Sequence, residues 1–343
     1  MTVSQRDVAL RAGVSVRTVS NVVNDFPLVA RSTRQRVQRA IDELGYRPNV
    51  SAQNLRRGTS GLIGVAVPEL SVPYFSELAG LIVQNARRRH YTVVVEQTDG
   101  DHKRERELLS ESGRSQLLDG LIFSPLALDQ EDVRSHPSKL PVVFLGEHTG
   151  DGPYDHIGID NVAAAREATA HLARLGRQRI AAIGHQGGSL GETGKLRTAG
   201  YRQALRDNGL HFRKELLIPA RSFHRDSGGS AMEELLTLPQ PPDAVFCYND
   251  LLAIGALRVA LTRGLKVPDD IAIVGFDDIE EGRYCVPSLT TVSPDKEEIA
   301  RAAVDHLFAR LKEPDRPFVS HVSHHQLVIR ESSLGSAGTA GFG

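Results

Sequence analysis

The sequence predicts an α/β protein: a small all-α domain at the N-terminus, then a two-lobed body of doubly wound parallel sheets. Three observations predict it. The first 48 residues carry helical apolar spacing, punctuated by Gly13 and Gly45. From Gly61 onward short Val/Ile/Leu runs alternate with amphipathic stretches, the pattern of repeated βα units. There are more such units than one sheet holds, so two sheets with a cleft between them follow.

In the N-terminal part, Ser4 with Asp7 three residues on forms a capping box, opening a helix whose Val8, Ala9 and Ala12 face inward. Gly13 ends that helix. Ser15 is the N-cap of a second, in which Val19, Val22 and Val23 lie at i, i+3 and i+4 and form the buried face. The opposite side presents Val16, Arg17, Ser20, Asn21 and Asn24. Residues 31–44 make a third helix with Val37, Ile41 and Leu44 inward, stopped by Gly45 and Pro48. A short helix-compatible segment, 49–57, ends at Gly58.

In the body the strand-like runs are "LIGVAVP", "YTVVVEQ", "GLIFSPL", "VVFLG", "HIGIDN", "IAAIGH", "ELLIPA", "AVFCYN" and "IAIVGFD". Between them lie helix-like stretches at 74–89, 102–116, 162–175, 195–208, 228–237 and 250–263. The parallel βα repeat accounts for their near-continuous apolar character. The last twelve residues, from Ser332, are small-residue-rich and are expected to be disordered.

Composition narrows the function. The chain has 343 residues, 40% hydrophobic and 24% charged, as in globular proteins. No apolar run nears the ~18 residues of a membrane span, and no secretory h-region precedes Arg6 to Arg17, so a cytoplasmic protein is expected. Cys247 and Cys285 alone make no disulfide framework. The net charge of −1 hides an asymmetry. Residues 1–60 hold ten arginines against Asp7, Asp25, Asp42 and Glu43, a net +6 on a body of −7. A compact basic segment of this kind is the footprint of a polyanion partner.

Two short helices joined by a tight glycine turn make a helix-turn-helix, whose second helix enters the DNA major groove. Arg17 suits a guanine edge and Asn21 an adenine edge, while Thr18 and Ser20 suit phosphates or bases.

"RDVALRAGVSVRTVSNVVND", "TRQRVQRAIDELGYRPN" and "LIGVAVPELSVPYF" resemble the lactose-repressor/galactose-repressor (LacI/GalR) family of bacterial transcription regulators. The resemblance continues through "GIDN", "KLRTAGYRQAL", "FCYNDLLAIGAL", "VPDDIAIVGFDD" and "PSLTTV", over essentially the whole chain. It implies a homodimer on a pseudo-palindromic operator, with a small effector held in a periplasmic-binding-protein-like body. The expected DNA-binding residues are Ser15, Val16, Arg17, Thr18, Ser20, Asn21 and Asn24, with Ala52, Leu55 and Arg56 in a hinge helix. Leu55 matches the family's minor-groove wedge, and an apolar side chain on a basic segment gains a partner by unstacking a base step. Asn21 departs from the family, where arginine often follows "TVS". The family-typical operator sequence therefore does not carry over.

For the effector the resemblance points to Tyr74 and Phe75 in the first lobe and to Arg197, Phe223, Asn249 and Asp277 in the second. A forked donor, an acceptor of paired hydroxyls, an amide and flat apolar faces suit a carbohydrate. Gly191 stands where purine-binding relatives carry an arginine, which also favours a sugar. Arg197 and Asp277 could alternatively pair with each other as a structural salt bridge.

The expected boundaries are 1–48 for the DNA-binding domain, 49–60 for the hinge and 61–343 for the effector and dimerisation domain. In the last, 61–160 and 290–322 form one lobe, 161–289 and 323–331 the other, and 332–343 the tail. The tail lacks leucine heptads, so the expected assembly stops at a dimer. No cofactor and no metal is expected. Competing motifs are weaker. "GGSLG" fits the nucleophile elbow of an α/β-hydrolase around Ser189, but the required strand–Ser–helix succession is missing. "SLGETGKL" fails as a phosphate loop because Leu196 replaces the Ser/Thr. His321, His324 and His325 are closely spaced without cysteines. A transport-type sugar-binding protein shares the two-lobed body but not the basic N-terminus.

Overall fold

The computed structural model describes residues 3–24, 26–46, 59–110, 117–135, 138–146, 153–186 and 192–334. The chain divides into two units, Met1–Ser60 and Gly61–Gly343.

The first unit holds α1 (Gln5–Ala12), α2 (Val16–Val23) and α3 (Arg31–Leu44). The capping box forms: Ser4 Oγ accepts from Asp7 N–H and the Asp7 carboxylate accepts from Ser4 N–H at 2.8 Å. These bonds hold the Asp7 carboxyl below the usual carboxylate range. Gly13 closes α1 at φ +63°, a left-handed conformation that favours glycine. Val8, Ala9, Ala12, Val19, Val22, Val37, Ala40 and Tyr46 form one buried cluster, with Val23, Ile41 and Leu44 packed around it. An Arg11–Glu43 ion pair at 2.5 Å joins α1 to α3.

In the second unit the first run of elements is β1 (Leu62–Val67), α4 (Pro73–Arg87), β2 (Thr92–Gln97), α5 (His102–Leu109), β3 (Gly120–Phe123), α6 (Gln130–Ser135), β4 (Val142–Leu145) and β5 (Asp155–Ile159). The second is α7 (Asn161–Arg174), β6 (Ile180–His185), α8 (Glu192–Asp207), β7 (Leu217–Pro219), α9 (Arg225–Leu236), β8 (Ala244–Cys247), α10 (Asp250–Thr262), β9 (Ala272–Phe276), α11 (Glu280–Tyr284) and β10 (Thr290–Pro294). Then α12 (Lys296–Lys312) and β11 (Ser320–Ser323) return to the first lobe, and β12 (His325–Val328) and α13 (Glu331–Leu334) to the second.

Each lobe is built on a six-stranded sheet, ordered β11-β5-β4-β3-β1-β2 in one and β12-β10-β9-β8-β6-β7 in the other. Every pairing is parallel except β12 against β10. Helix packing is close where glycines allow it. A Cβ on Gly255 of α10 would lie 1.9 Å from the Arg225 carbonyl of α9, so no side chain fits there.

Two expectations need correction. Thr290–Pro294 does not belong to the first lobe: it pairs with β9 and β12 and completes the second sheet, so the chain crosses at Asp295. The tail is ordered further than its composition suggests. Ser332 and Ser333 are buried: Ser332 Oγ donates to Ile273 O at 2.7 Å and accepts from Thr290 N–H at 2.8 Å, while Ser333 Oγ meets Thr290 Oγ1 and His171 Nε2. Polar pairing, rather than apolar content, fixes that segment.

Candidate functional site

On α2 the first turn is fixed by Ser15 Oγ, which accepts from Thr18 N–H at 3.1 Å and lies 2.8 Å from Thr18 Oγ1. Ser20 accepts from Asn24 Nδ2 at 3.3 Å. The capping pair and the Ser20–Asn24 pair therefore use part of their polar capacity within the helix. Val16 and Arg17 are exposed and Asn21 is half-buried. Arg17 and Asn21, four residues apart and so on one face, make no side-chain hydrogen bond within the described residues. Both are available to a ligand of the helix. Ala52, Leu55 and Arg56 lie outside the described residues.

In the body, a cavity of about 380 Å³ opens between the lobes, at the carboxyl ends of the parallel strands where such folds hold ligands. Tyr74, Phe75, Arg197, Phe223, Asn249 and Asp277 all line it. Tyr74 and Phe75 stand at the start of α4 with ring centroids 5.4 Å apart, edge to face. The other four come from α8 and from the segments after β7, β8 and β9.

Arg197 is only 6% exposed. Its Nε donates to Asn161 Oδ1 at 2.8 Å, its Nη1 to the Tyr248 carbonyl, and its guanidinium carbon sits 3.4 Å from the Phe276 ring centroid. Its bonds go to Asn161 and Tyr248 rather than to Asp277, so the structural salt bridge is not the arrangement. Nη2 carries no bond to the described residues. Asn249 caps α10 through Oδ1, which accepts from Leu252 N–H at 2.9 Å, and its Nδ2 holds the Phe223 carbonyl at 2.9 Å. It thereby positions the Phe223 segment against the cavity.

Asp277 is 8% exposed, at φ +109°, and donates its N–H to Val292 O at 2.8 Å. Beneath it Asp250 is fully buried, bonded to Thr291 Oγ1 and Ile279 N–H. Burial, then the charge of Asp277, pushes the Asp250 carboxyl well above the usual range. Asp278 goes the other way. Burial raises it, but Arg330 and Arg283 hold its carboxyl below the usual range.

Sequence reading missed several groups of this site. Ser124, Gln186, Thr193 and Ser222 add hydroxyls and an amide to the lining. His224 Nε2 meets Glu69 Oε2 at 2.9 Å across the cleft mouth. Glu105 is the least visible of them. Its buried carboxylate accepts from the N–H groups of Leu126, Ala127 and Leu128, at 2.8 to 3.2 Å, and from Thr98 Oγ1 at 3.2 Å. That fixes the loop after β3 which carries Ser124 and Leu126 into the cavity. No local pattern around Glu105 announces such a role, since the three loop N–H groups it accepts from lie 21 to 23 residues away.

Residues 4–49 match the family described as bacterial regulatory proteins, lacI family, and residues 169–333 match the periplasmic binding protein-like domain. The chain is 35% identical over 334 residues to the HTH-type transcriptional repressor CytR of Escherichia coli strain K12, covering 96% of both chains. The chain belongs to the lacI family of bacterial regulatory proteins. Among solved structures, this LacI-family chain is similar to the Lac repressor dimer bound to operator and the anti-inducer ONPF. The TM-score is 0.84, with 30% identity over 98% of this chain and all of that one. It is also similar to a complex of the transcriptional regulator CelR with cellobiose (TM-score 0.71, 30% identity, 96% of this chain and all of that one).

The histidines near the C-terminus are spoken for. Glu298 takes His321 and His324, and His325 faces Glu167 at 3.6 Å. No group of three or more metal-type ligands occurs among the described residues. Among these residues no helix is long and apolar enough to cross a membrane. Ser189 lies outside the described residues.

Proposed function

We propose that this LacI-family regulator is a cytoplasmic, nucleoid-associated homodimeric repressor, binding a pseudo-palindromic operator through α2 and answering to a carbohydrate effector in the cleft. One observation carries the reading. Six residues from opposite lobes, Tyr74 and Phe75 against Arg197, Phe223, Asn249 and Asp277, line one cavity. A ligand touching both lobes binds one of their relative arrangements better than another and so shifts their equilibrium. The named ligands of similar proteins, cellobiose with CelR and ONPF with the Lac repressor, support a sugar-type effector.

On the DNA side, Arg17 and Asn21 read bases, and Ser15, Val16, Thr18, Ser20 and Asn24 support and flank them. The segment 49–60 acts as a hinge in which Ala52, Leu55 and Arg56 meet the minor groove. The boundaries 1–48, 49–60 and 61–343 follow from that division of labour. Exposed Tyr284 (77%) and Val286 (82%), with Val94 and Val95 on the edge strand β2, supply apolar surface for a second copy.

The test is a duplex titration at several salt concentrations. Displacement of counterions by the basic N-terminus makes log affinity fall linearly with log salt. A flat dependence contradicts the reading. A Leu55→Ala variant is expected to lose affinity for the operator and keep it for random duplex, because only the operator complex holds an unstacked step.

A further inference from the structure

The chain passes from α4 to β2 through Arg87, Arg88, Arg89 and His90, all four exposed. The turn is tightly bonded. Arg89 and Tyr91 both donate their N–H to Ala86 O, at 2.9 and 3.1 Å, and His90 N–H donates to Arg87 O at 2.9 Å. His90 itself sits at φ +63°, in the left-handed region, where the chain reverses. Arg89 pins the turn to α12: it pairs with Asp305, and its guanidinium carbon lies 4.8 Å from the Phe308 ring centroid. Arg87, Arg88 and His90 make no side-chain bond to the described residues.

The turn lies at a particular end of the lobe. In a parallel sheet every strand starts at the same end, and the cleft lies at the other. Gly61, where the chain that carries α2 enters the body, is clamped at that starting end. Its carbonyl accepts from Thr92 N–H at 3.0 Å and its N–H donates to Asp119 Oδ2 at 2.9 Å. Leu62 and Thr92 are partners in the β1–β2 register. The arginines therefore stand beside the point from which the DNA-reading segment departs. Two acids near the turn are already engaged, Asp119 by Gly61 and Asp305 by Arg89.

We propose that Arg87 and Arg88 form a second contact with duplex DNA, made by the body, on backbone phosphates beside the site that α2 reads. This rests on the DNA-binding reading and adds a contact outside the N-terminal domain. A guanidinium fork matches two phosphate oxygens. Such contacts carry no base information; they add affinity and fix orientation on the duplex. On a body whose net charge is −7, a run of three arginines is a local reversal of sign, placed where a polyanion held by residues 1–60 comes nearest along the chain. Arg87 and Arg88 also sit at the C-terminal end of α4, where cations complement the helix dipole. The experiment separates that role from the proposed one.

It titrates the full-length protein, at several salt concentrations, against a labelled duplex selected from a random library on the wild type. Arg87→Gln/Arg88→Gln is expected to bind tenfold or more weaker. Its slope of log affinity against log salt is expected to flatten by about one unit or more, since each lost phosphate contact takes ~0.9 from it. Arg206→Gln/Arg258→Gln removes the same charge from exposed positions on α8 and α10 of the second lobe and is expected to change neither quantity. Sedimentation of all three proteins is expected to show one assembly. An unaltered slope in Arg87→Gln/Arg88→Gln overturns the proposal, and with a lowered melting temperature it assigns the pair to the end of α4. An equal effect from the second-lobe pair overturns it in favour of net charge. Dissociation of Arg87→Gln/Arg88→Gln overturns it in favour of contact between copies. A wild type whose affinity ignores salt overturns the DNA-binding reading as well.

Discussion

Glu298 and His324 form one unit: the carboxylate of Glu298 accepts from both the backbone N–H and the imidazole Nδ1 of His324, at 2.9 and 2.8 Å. His321 Nε2 adds a third contact at 3.1 Å. His324 lies where the chain passes from β11 in one lobe to β12 in the other, and its carbonyl accepts from the N–H of Asp295, where β10 passes to α12. One carboxylate at the foot of α12 thus ties two of the crossings between lobes.

The contact carries a pH signature. The backbone N–H of His324, then the imidazoles, hold the Glu298 carboxyl at about 2 against its ordinary 4.5, and Glu298 pushes His324 above 6.5. The Glu298 contribution is complete above pH 4.5 and is lost as pH falls toward 2. The part due to charged His324 is complete below pH 6.5 and is lost as pH rises through its raised value. Melting temperatures of wild type and Glu298→Gln, measured from pH 4 to 9, are expected to differ most between about 4.5 and 6.5. A difference independent of pH contradicts the unit.

Arg197 is held by the protein before any effector arrives. Arg197→Ala removes the hydrogen bonds that Arg197 donates to Asn161 Oδ1 and to the Tyr248 carbonyl, at a cost of about 1–3 kcal/mol. Urea unfolding measures it. A change below about 0.5 kcal/mol would mean that neither bond matters to the fold. Asp277→Asn, which keeps the volume, is the cleaner probe of effector response.

Glu105→Ala removes the acceptor of three backbone N–H groups and is expected to cost about 3 kcal/mol or more. Because those groups shape the loop with Ser124 and Leu126, effector affinity is expected to drop as well. Unfolding and ligand titration of the same variant check the two effects. Loss of stability with unchanged effector affinity would separate the loop from the site.

Asn21→Arg is expected to change the half-site selected from a random duplex library while leaving general affinity intact. A good bidentate contact discriminates against the wrong base by ~1–3 kcal/mol. An unchanged selected motif places base reading elsewhere on α2.

The elements that chemistry punctuates were legible in the sequence. Ser4, Asp7, Gly13, Ser15 and Gly45 mark helix ends through local bonds, and the βα alternation gives two lobes because parallel strands need helices between them. Tyr74, Phe75, Arg197, Phe223, Asn249 and Asp277 were reachable through a family resemblance, and they share one cavity. What stayed hidden depends on partners distant in sequence. Thr290 sits in the second sheet because β9 and β12 flank its strand. Ser332 and Ser333 are ordered by Thr290 and His171, and Glu105 acts on a loop two elements away. None of these has a local period to read.

The most direct test of the account is operator affinity with and without the tightest-binding effector, on wild type and on Asp277→Asn. The account predicts that the effector shifts wild-type affinity by tenfold or more, about 1.4 kcal/mol, and that Asp277→Asn binds operator as wild type does but loses most of that shift. A wild type whose operator affinity ignores a ligand bound in the cleft would contradict it.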